Sequence, residues 1–177
     1  MTSALKITLA KSDDAAAVLA FELENRAHFE QWIASRGDEF YSLAEVRVSL
    51  EQAQFSVHAK REYHYLAWVD HEIVGRITLR GIEREYFHKA LLGYRFSQRH
   101  GGRGFGTEAV KAVVALGFSE LQLNRIEATV ILDNLPSQAI MRKCGFRQFG
   151  HSHSSVLRNG MWMDMLHFER LAQDSTI

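Results

Sequence analysis

Four of the six residues from 101 to 106 are glycine, and helix formers follow at once: QRHGGRGFGTEAVKAVVALGF, residues 98–118. Glycine removes Cβ, so backbone N–H groups can face a ligand directly; a helix starting immediately afterwards adds unpaired N–H groups and the positive end of its dipole. The stretch predicts an anion site, phosphate first. The nucleotide-binding pattern GxxxxGK[ST] does not fit, because Thr107 stands where its Lys belongs. Gly104-Phe105-Gly106-Thr107-Glu108-Ala109 does satisfy GxGxx[GA], the short dinucleotide pattern. That unit also needs an acid closing the next strand about 20 residues on. Glu127 comes early in its strand and Asp133 comes late. A purely structural turn, letting helix and sheet approach closely, is the third reading.

The elements around this turn set its context. A short strand-like KITLA is followed, over residues 13 to about 60, by helical rhythm broken near Ser35-Arg36-Gly37-Asp38 and Tyr41-Ser42, which predicts two or three helices. YHYLAWV, EIVGRITLR and KALLGYRF have strand lengths and patterns, the first two joined tightly at Asp70-His71, and predict an antiparallel meander. From residue 107 to about 120, Val110, Val113, Val114, Gly117 and Leu121 recur at helical spacing, and RIEATVIL follows with strand formers. Strand, glycine turn, helix, strand is a crossover, and crossovers join parallel strands. PSQAIMRKCGF predicts a short helix opened by Pro136-Ser137 and closed by Gly145. QFGHSHSSVL and MWMDMLHFE flank Arg158-Asn159-Gly160, a hairpin signal. The expected class is mixed α/β: a mostly antiparallel central sheet, one parallel strand-loop-helix-strand unit and flanking helices. Pro136 is the only proline and no linker-like tract occurs, so a single domain over residues 1–177 is expected.

Charge narrows the function. Lys+Arg and Asp+Glu cancel at 21 each, with a pI near 7.1, so the basic field that nucleic-acid binding relies on is missing and no direct nucleic-acid partner is expected. The lone Cys144 excludes an internal disulfide; placed beside Gly145, it reads as packing. MTSALKITLAKSDD reaches acids too soon for a signal peptide, and no apolar run approaches the roughly 18 residues of a membrane span. A cytoplasmic protein without membrane contact is expected. His151 and His153 share one face of a strand, but no Cys or acid cluster in the sequence supplies further ligands, so no metal is expected.

Three segments together resemble the GNAT superfamily of N-acetyltransferases, and within it the RimJ/RimL branch that acetylates ribosomal-protein N-termini. They are LLGYRFSQRHGGRGFGTEAV, RIEATVILDNLPSQAIMRKCGF and NGMWMDML. The resemblance implies the GNAT fold, acetyl-CoA as cosubstrate without a metal, direct acetyl transfer without an acyl-enzyme, and a monomer or homodimer. The expected acceptor is the α-amino group of a protein N-terminus, a ribosomal protein in particular. The alternatives are a small amine such as a polyamine or aminoglycoside, and a CoA-binding sensor without useful catalysis.

Residue by residue, the resemblance places the pyrophosphate loop on Gly101, Gly102, Arg103, Gly104, Phe105 and Gly106, with Gly101 where the family usually has Arg or Gln. Arg103 would add a charged contact or stay a solvated surface residue, and Thr107 would touch phosphate or cap the helix. The strand with Tyr94, Arg95 and Phe96 would carry the pantetheine arm, and the Phe96 backbone N–H would polarise the thioester carbonyl. Tyr94 would line the acetyl pocket or serve as core. Asn134 and Ser137 match the family's pair before the short helix, Asn on the cofactor and Ser near its sulfur. Since Met141 stands where many members carry a Tyr acid, Ser137 is the candidate general acid, with helix capping as its alternative. For the base, Glu85, with Glu83 and Asp164, is the weak candidate; Asp164 alternates with Trp162, Leu166 and Phe168 and also reads as a structural hydrogen-bonded Asp.

Overall fold

The computed structural model describes residues 4–175; Met1, Thr2 and Ser3 of the leading stretch lie outside the described residues. Along the chain run β1 (Lys6–Leu9), α1 (Ala15–Phe29), α2 (Leu43–His58), β2 (Tyr63–Val69), β3 (Glu72–Glu83), β4 (Lys89–Phe96), α3 (Phe105–Ser119), β5 (Arg125–Ile131), α4 (Leu135–Lys143), β6 (Arg147–Arg158) and β7 (Met161–Leu171). The helical N-terminal region is two α-helices with short 3-10 turns at Ser12–Asp14 and Asp38–Phe40. The break at Tyr41-Ser42 is the start of α2, where the Ser42 hydroxyl accepts the Glu45 N–H at 3.2 Å.

The strands form one seven-stranded sheet in the order β1-β2-β3-β4-β5-β7-β6. Every neighbouring pair is antiparallel except β4 and β5, the pair joined by the glycine turn and α3. Both faces are covered. Val110, Val113 and Val114 of α3 pack with Met141 of α4 on Ile77, Leu79, Ile126 and Phe168; Val18 and Phe21 of α1 and Val46 and Leu50 of α2 pack on Leu66 and Ile73. Burial on both sides is why YHYLAWV reads as nearly continuous apolar sequence. Phe168, 1% exposed, sits centrally in the α3 layer. Phe168→Ala is expected to lower unfolding free energy by about 3–5 kcal/mol, read from chemical denaturation.

The parallel pairing covers only Lys89, Ala90 and Leu91 against Arg125, Ile126 and Glu127. Beyond Leu91, β4 continues to Phe96 bonded to β3 alone, and the sheet splits between β4 and β5. This split is the feature the rest of the molecule is arranged around.

Candidate active site

The register of β3 and β4 decides what faces the split. Gly75 stands opposite Phe96 and Arg76 opposite Arg95, and the Ser97 N–H donates to the Val74 carbonyl at 2.8 Å. Hydrogen-bonded and non-bonded pairs alternate in an antiparallel ladder. Ser97 and Arg95 therefore spend their backbone groups on β3, whereas Tyr94 and Phe96 turn N–H and C=O away from β3, into the split. Gly75 lets the Phe96 ring lie flat on its neighbour: a Cβ there would stand 2.2 Å from Phe96 Cδ1.

A cavity of about 560 Å³ runs through the split. On the α3 side its walls are the glycine turn, Phe96, Asn134 and Ser137; on the α1 side they are His28, Phe29, Trp32, Ile33 and Arg95. Among the described residues no Asp or Glu lines it.

At the glycine turn, Gly102 and Gly104 hold left-handed φ of 74° and 86°. The helix starts at Phe105, two residues earlier than its spacing predicts, because Gly104 can take the left-handed N-cap conformation. Its first bond is Glu108 N–H to Gly104 C=O at 3.1 Å, so the N–H groups of Phe105, Gly106 and Thr107 have no acceptor within the helix. Thr107 does not cap: Gly104 holds the N-cap position and no side chain bonds there. Gly101 lines the cavity, but its N–H already donates to Gln98 C=O at 3.0 Å in a tight turn. Arg103 is exposed and outside the cavity wall, its guanidinium 4.9 Å from the Phe105 ring centroid, and Glu108 is exposed as well.

On the same side of the cavity, Asn134 caps α4, its Oδ1 accepting the Ser137 N–H at 3.1 Å. Helix α4 thus opens at Leu135, and the capping alternative for Ser137 is corrected. Its hydroxyl lies 2.7 Å from the Tyr94 hydroxyl, which also stands 3.2 Å from the Ser137 carbonyl. Tyr94 is therefore more than core: its tip crosses the split and ties β4 to α4. Burial pushes the Tyr94 phenol well above its ordinary range, with the Ser137 hydrogen bond opposing, so it remains an O–H donor. Met141 is fully buried, and the Cys144 thiol, donating to Thr107 C=O at 3.5 Å and pushed up to about 11 by burial, is inert packing.

Three sequence expectations need correction. The Arg95 side chain points to the face opposite Tyr94 and Phe96, toward α1, because adjacent strand residues alternate; it stands 3.4 Å from buried Glu22 and 5.6 Å from the Phe29 ring centroid. It belongs to the opposite wall from the glycine turn. Glu85 lies in the β3–β4 connection, at the closed end of the split; like Glu83, which pairs with Lys89 at 3.2 Å, it is exposed and outside the cavity wall. The third concerns His151 and His153, for which the hairpin supplies another metal-competent ligand. Asp164 Oδ2 lies 2.7 Å from His151 Nε2 and 3.0 Å from His153 Nδ1, and its Oδ1 accepts the Ser154 N–H at 2.8 Å.

Asp164 is thus a structural carboxylate, outside the cavity wall. The Ser154 N–H, then His151, hold its carboxyl down at about 2. Because this folded value lies below the ordinary one, the stabilisation is present above the ordinary carboxylate range and disappears as pH falls through about 2. A carboxyl-detected NMR titration is expected to put the Asp164 midpoint near 2, with the Ser154 amide shift following it.

The α1-side wall escaped sequence reading. HFEQWI, residues 28–33, reads only as the end of an amphipathic helix, and Glu22 only as one of its polar positions. The one available signal was the clustering of His28, Phe29 and Trp32 just before a predicted break.

The Acetyltransferase (GNAT) domain family matches residues 5–147. The chain is 36% identical over 153 residues to a probable N-acetyltransferase, YjcK, of Bacillus subtilis, spanning 85% of this chain and 84% of that protein. It is 25% identical over 166 residues to the [ribosomal protein uS5]-alanine N-acetyltransferase of Escherichia coli, spanning 92% of this chain and 85% of that one. Mycobacterium smegmatis RimJ, solved in complex with CoA-disulfide, superposes with a TM-score of 0.91 at 25% identity, covering 98% of this chain and 84% of RimJ.

Proposed function

The chain belongs to the GNAT family of acetyl-CoA-dependent N-acetyltransferases, and from that membership we propose that it transfers acetyl directly to the α-amino group of a protein N-terminus, with ribosomal proteins the leading acceptor class. The observation that carries the reading is the split itself: two backbone positions of β4 left facing a cavity, with a bare-backbone helix start at one wall and a Tyr–Ser hydrogen bond spanning it. The kinship to a uS5-alanine acetyltransferase favours the protein acceptor. A wall to which the described residues contribute no Asp or Glu counts against polyamines and aminoglycosides, whose clustered ammonium groups need acids.

The cavity fits acetyl-CoA. The turn offers free N–H groups and no Cβ at Gly102, Gly104 or Gly106, the chemistry a pyrophosphate needs, and β4 offers an unpaired edge for the pantetheine amides. Acetyl-CoA supplies the activated acetyl group as a thioester. The chain's own groups do the rest. The Phe96 N–H, turned into the split, orients the thioester carbonyl and holds the negative charge that develops on its oxygen during attack. Ser137 donates its hydroxyl proton to the departing sulfur as the C–S bond breaks, and Tyr94 fixes that hydroxyl by their 2.7 Å contact. An α-amino acceptor, with a pKa of about 7.7–8.0, has a substantial free-base fraction near neutrality, so attack needs no strong base. His28, on the acceptor wall, is placed to take the proton the nitrogen sheds.

The test is thiol release from acetyl-CoA with peptides starting in Ala or Ser, the same peptides with blocked N-termini, polyamines and aminoglycosides. Release that depends on a free peptide N-terminus is expected. Faster release with polyamines would replace this reading by small-amine acetylation, and none with any acceptor, in protein that binds acetyl-CoA, would favour a sensor.

A further inference from the structure

Beside the α1-side wall lies a charge imbalance that the transfer chemistry does not use. Glu22 is 1% exposed and provides one carboxylate to two guanidinium groups: Arg76 Nη1 at 2.5 Å and Arg95 Nη2 at 3.4 Å, both on Oε1. Arg76 takes the good hydrogen bond. The Arg95 side chain is 14% exposed, and its guanidinium makes no hydrogen bond among the described residues. Arg36 adds a further like charge nearby. Burial, then Arg76, push the Arg95 guanidinium down to about 9, which leaves it charged at neutral pH.

A nearly buried cation with unused donors is costly unless something pairs with it. Among the described residues the protein offers Arg95 only a share of Glu22 at 3.4 Å, already hydrogen-bonded to Arg76, and the cavity that Arg95 and its neighbour Phe29 line adds no Asp or Glu. We propose that the partner comes with the acceptor, and that Arg95 receives a carboxylate carried close to the reacting amine. This rests on the N-acetyltransferase reading of the same cavity. The spacing is suitable: Arg95 lies between Tyr94 and Phe96 on β4, so its guanidinium is one side-chain length from the backbone groups at the reaction centre. Two sources present such a carboxylate: the α-carboxylate of a free amino acid, and an acidic side chain in the first residues of a polypeptide. The planar fork of the guanidinium suits either in bidentate contact.

The experiment measures binding, so it does not depend on turnover. Protein saturated with CoA is titrated calorimetrically with alanine, alaninamide, C-terminally amidated peptides beginning Ser-Asp or Ser-Asn, and spermidine, using wild type, Arg95→Gln and Arg95→Lys. At least one carboxylate ligand is expected to bind about tenfold or more tighter than its uncharged match. The alanine and Ser-Asp arms tell the two sources apart. Arg95→Gln is expected to abolish that ratio and Arg95→Lys to restore part of it. Arg95→Gln should also fold at least as stably as wild type, since it leaves Glu22 and Arg76 as a balanced pair. Equal affinities within both pairs, tighter spermidine binding, or no measurable binding of either carboxylate would overturn the proposal. Thiol release measured alongside separates the two ideas: a carboxylate preference without acetylation removes the transferase reading alone, and acetylation indifferent to the carboxylate removes this one alone.

Discussion

Ser137→Ala is expected to reduce acetyl-transfer turnover by about 10²-fold or more while acetyl-CoA affinity stays within about twofold, because general-acid help is felt only as the C–S bond breaks. The structure makes this a sharper test than capping chemistry would allow. Asn134 supplies the α4 cap through its own Oδ1, so losing the Ser137 hydroxyl costs the helix nothing at that position. Tyr94→Phe is the companion variant. It removes a positioning hydrogen bond worth about 1 kcal/mol and should slow turnover by roughly five- to tenfold, again with cofactor affinity retained. Turnover unchanged in Ser137→Ala would sink the acid role and shift attention to water or Tyr94 itself.

Gly104→Val is expected to weaken acetyl-CoA binding by about 10²-fold, measured by calorimetry on protein whose circular dichroism is native. The reason differs from the obvious one. A Cβ at Gly104 meets nothing within 4 Å, so crowding inside the protein is not the issue; the obstacle is the φ of 86°. Left-handed backbone costs an L-residue about 1–2 kcal/mol, more when β-branched, and relieving it would rotate the N–H groups that open α3. Gly104→Ala should therefore show a smaller loss in the same direction, about tenfold. Unaltered affinity in both variants would mean that the phosphates bind elsewhere.

Much of the fold was legible because it is written in local pattern. Valines at helical spacing after the glycines, Asn159-Gly160 between alternating runs, and a strand-turn-helix-strand crossover each encode one element or one connection. Boundaries moved by two or three residues where pairing or a glycine conformation overruled periodicity: β3 extends to Glu83 because Lys89 stands opposite it, and α3 starts at Phe105 because Gly104 takes the left-handed cap. The turn itself was recognisable as an anion site, since bare backbone before a helix start is a property of consecutive residues.

The acceptor side was not legible. Glu85 looked close to the binding strand in sequence, yet lies at the end where β4 and β5 are still paired, while the cavity opens at the end where they part. Tyr94 and Ser137 are 43 positions apart, Arg76 and Glu22 54. Asp164 reaches His151 and His153 only because the β6–β7 register and its irregularity between Ser152 and Val156 bring them together. The sequence by itself determined the order of elements, the parallel unit and the phosphate-ready turn, because each depends on the conformational preferences and periodicity of neighbouring residues. Only the tertiary structure decided which backbone groups face the split, which residues wall the acceptor and which charges remain unbalanced, because those depend on strand register and on which helix packs across which face.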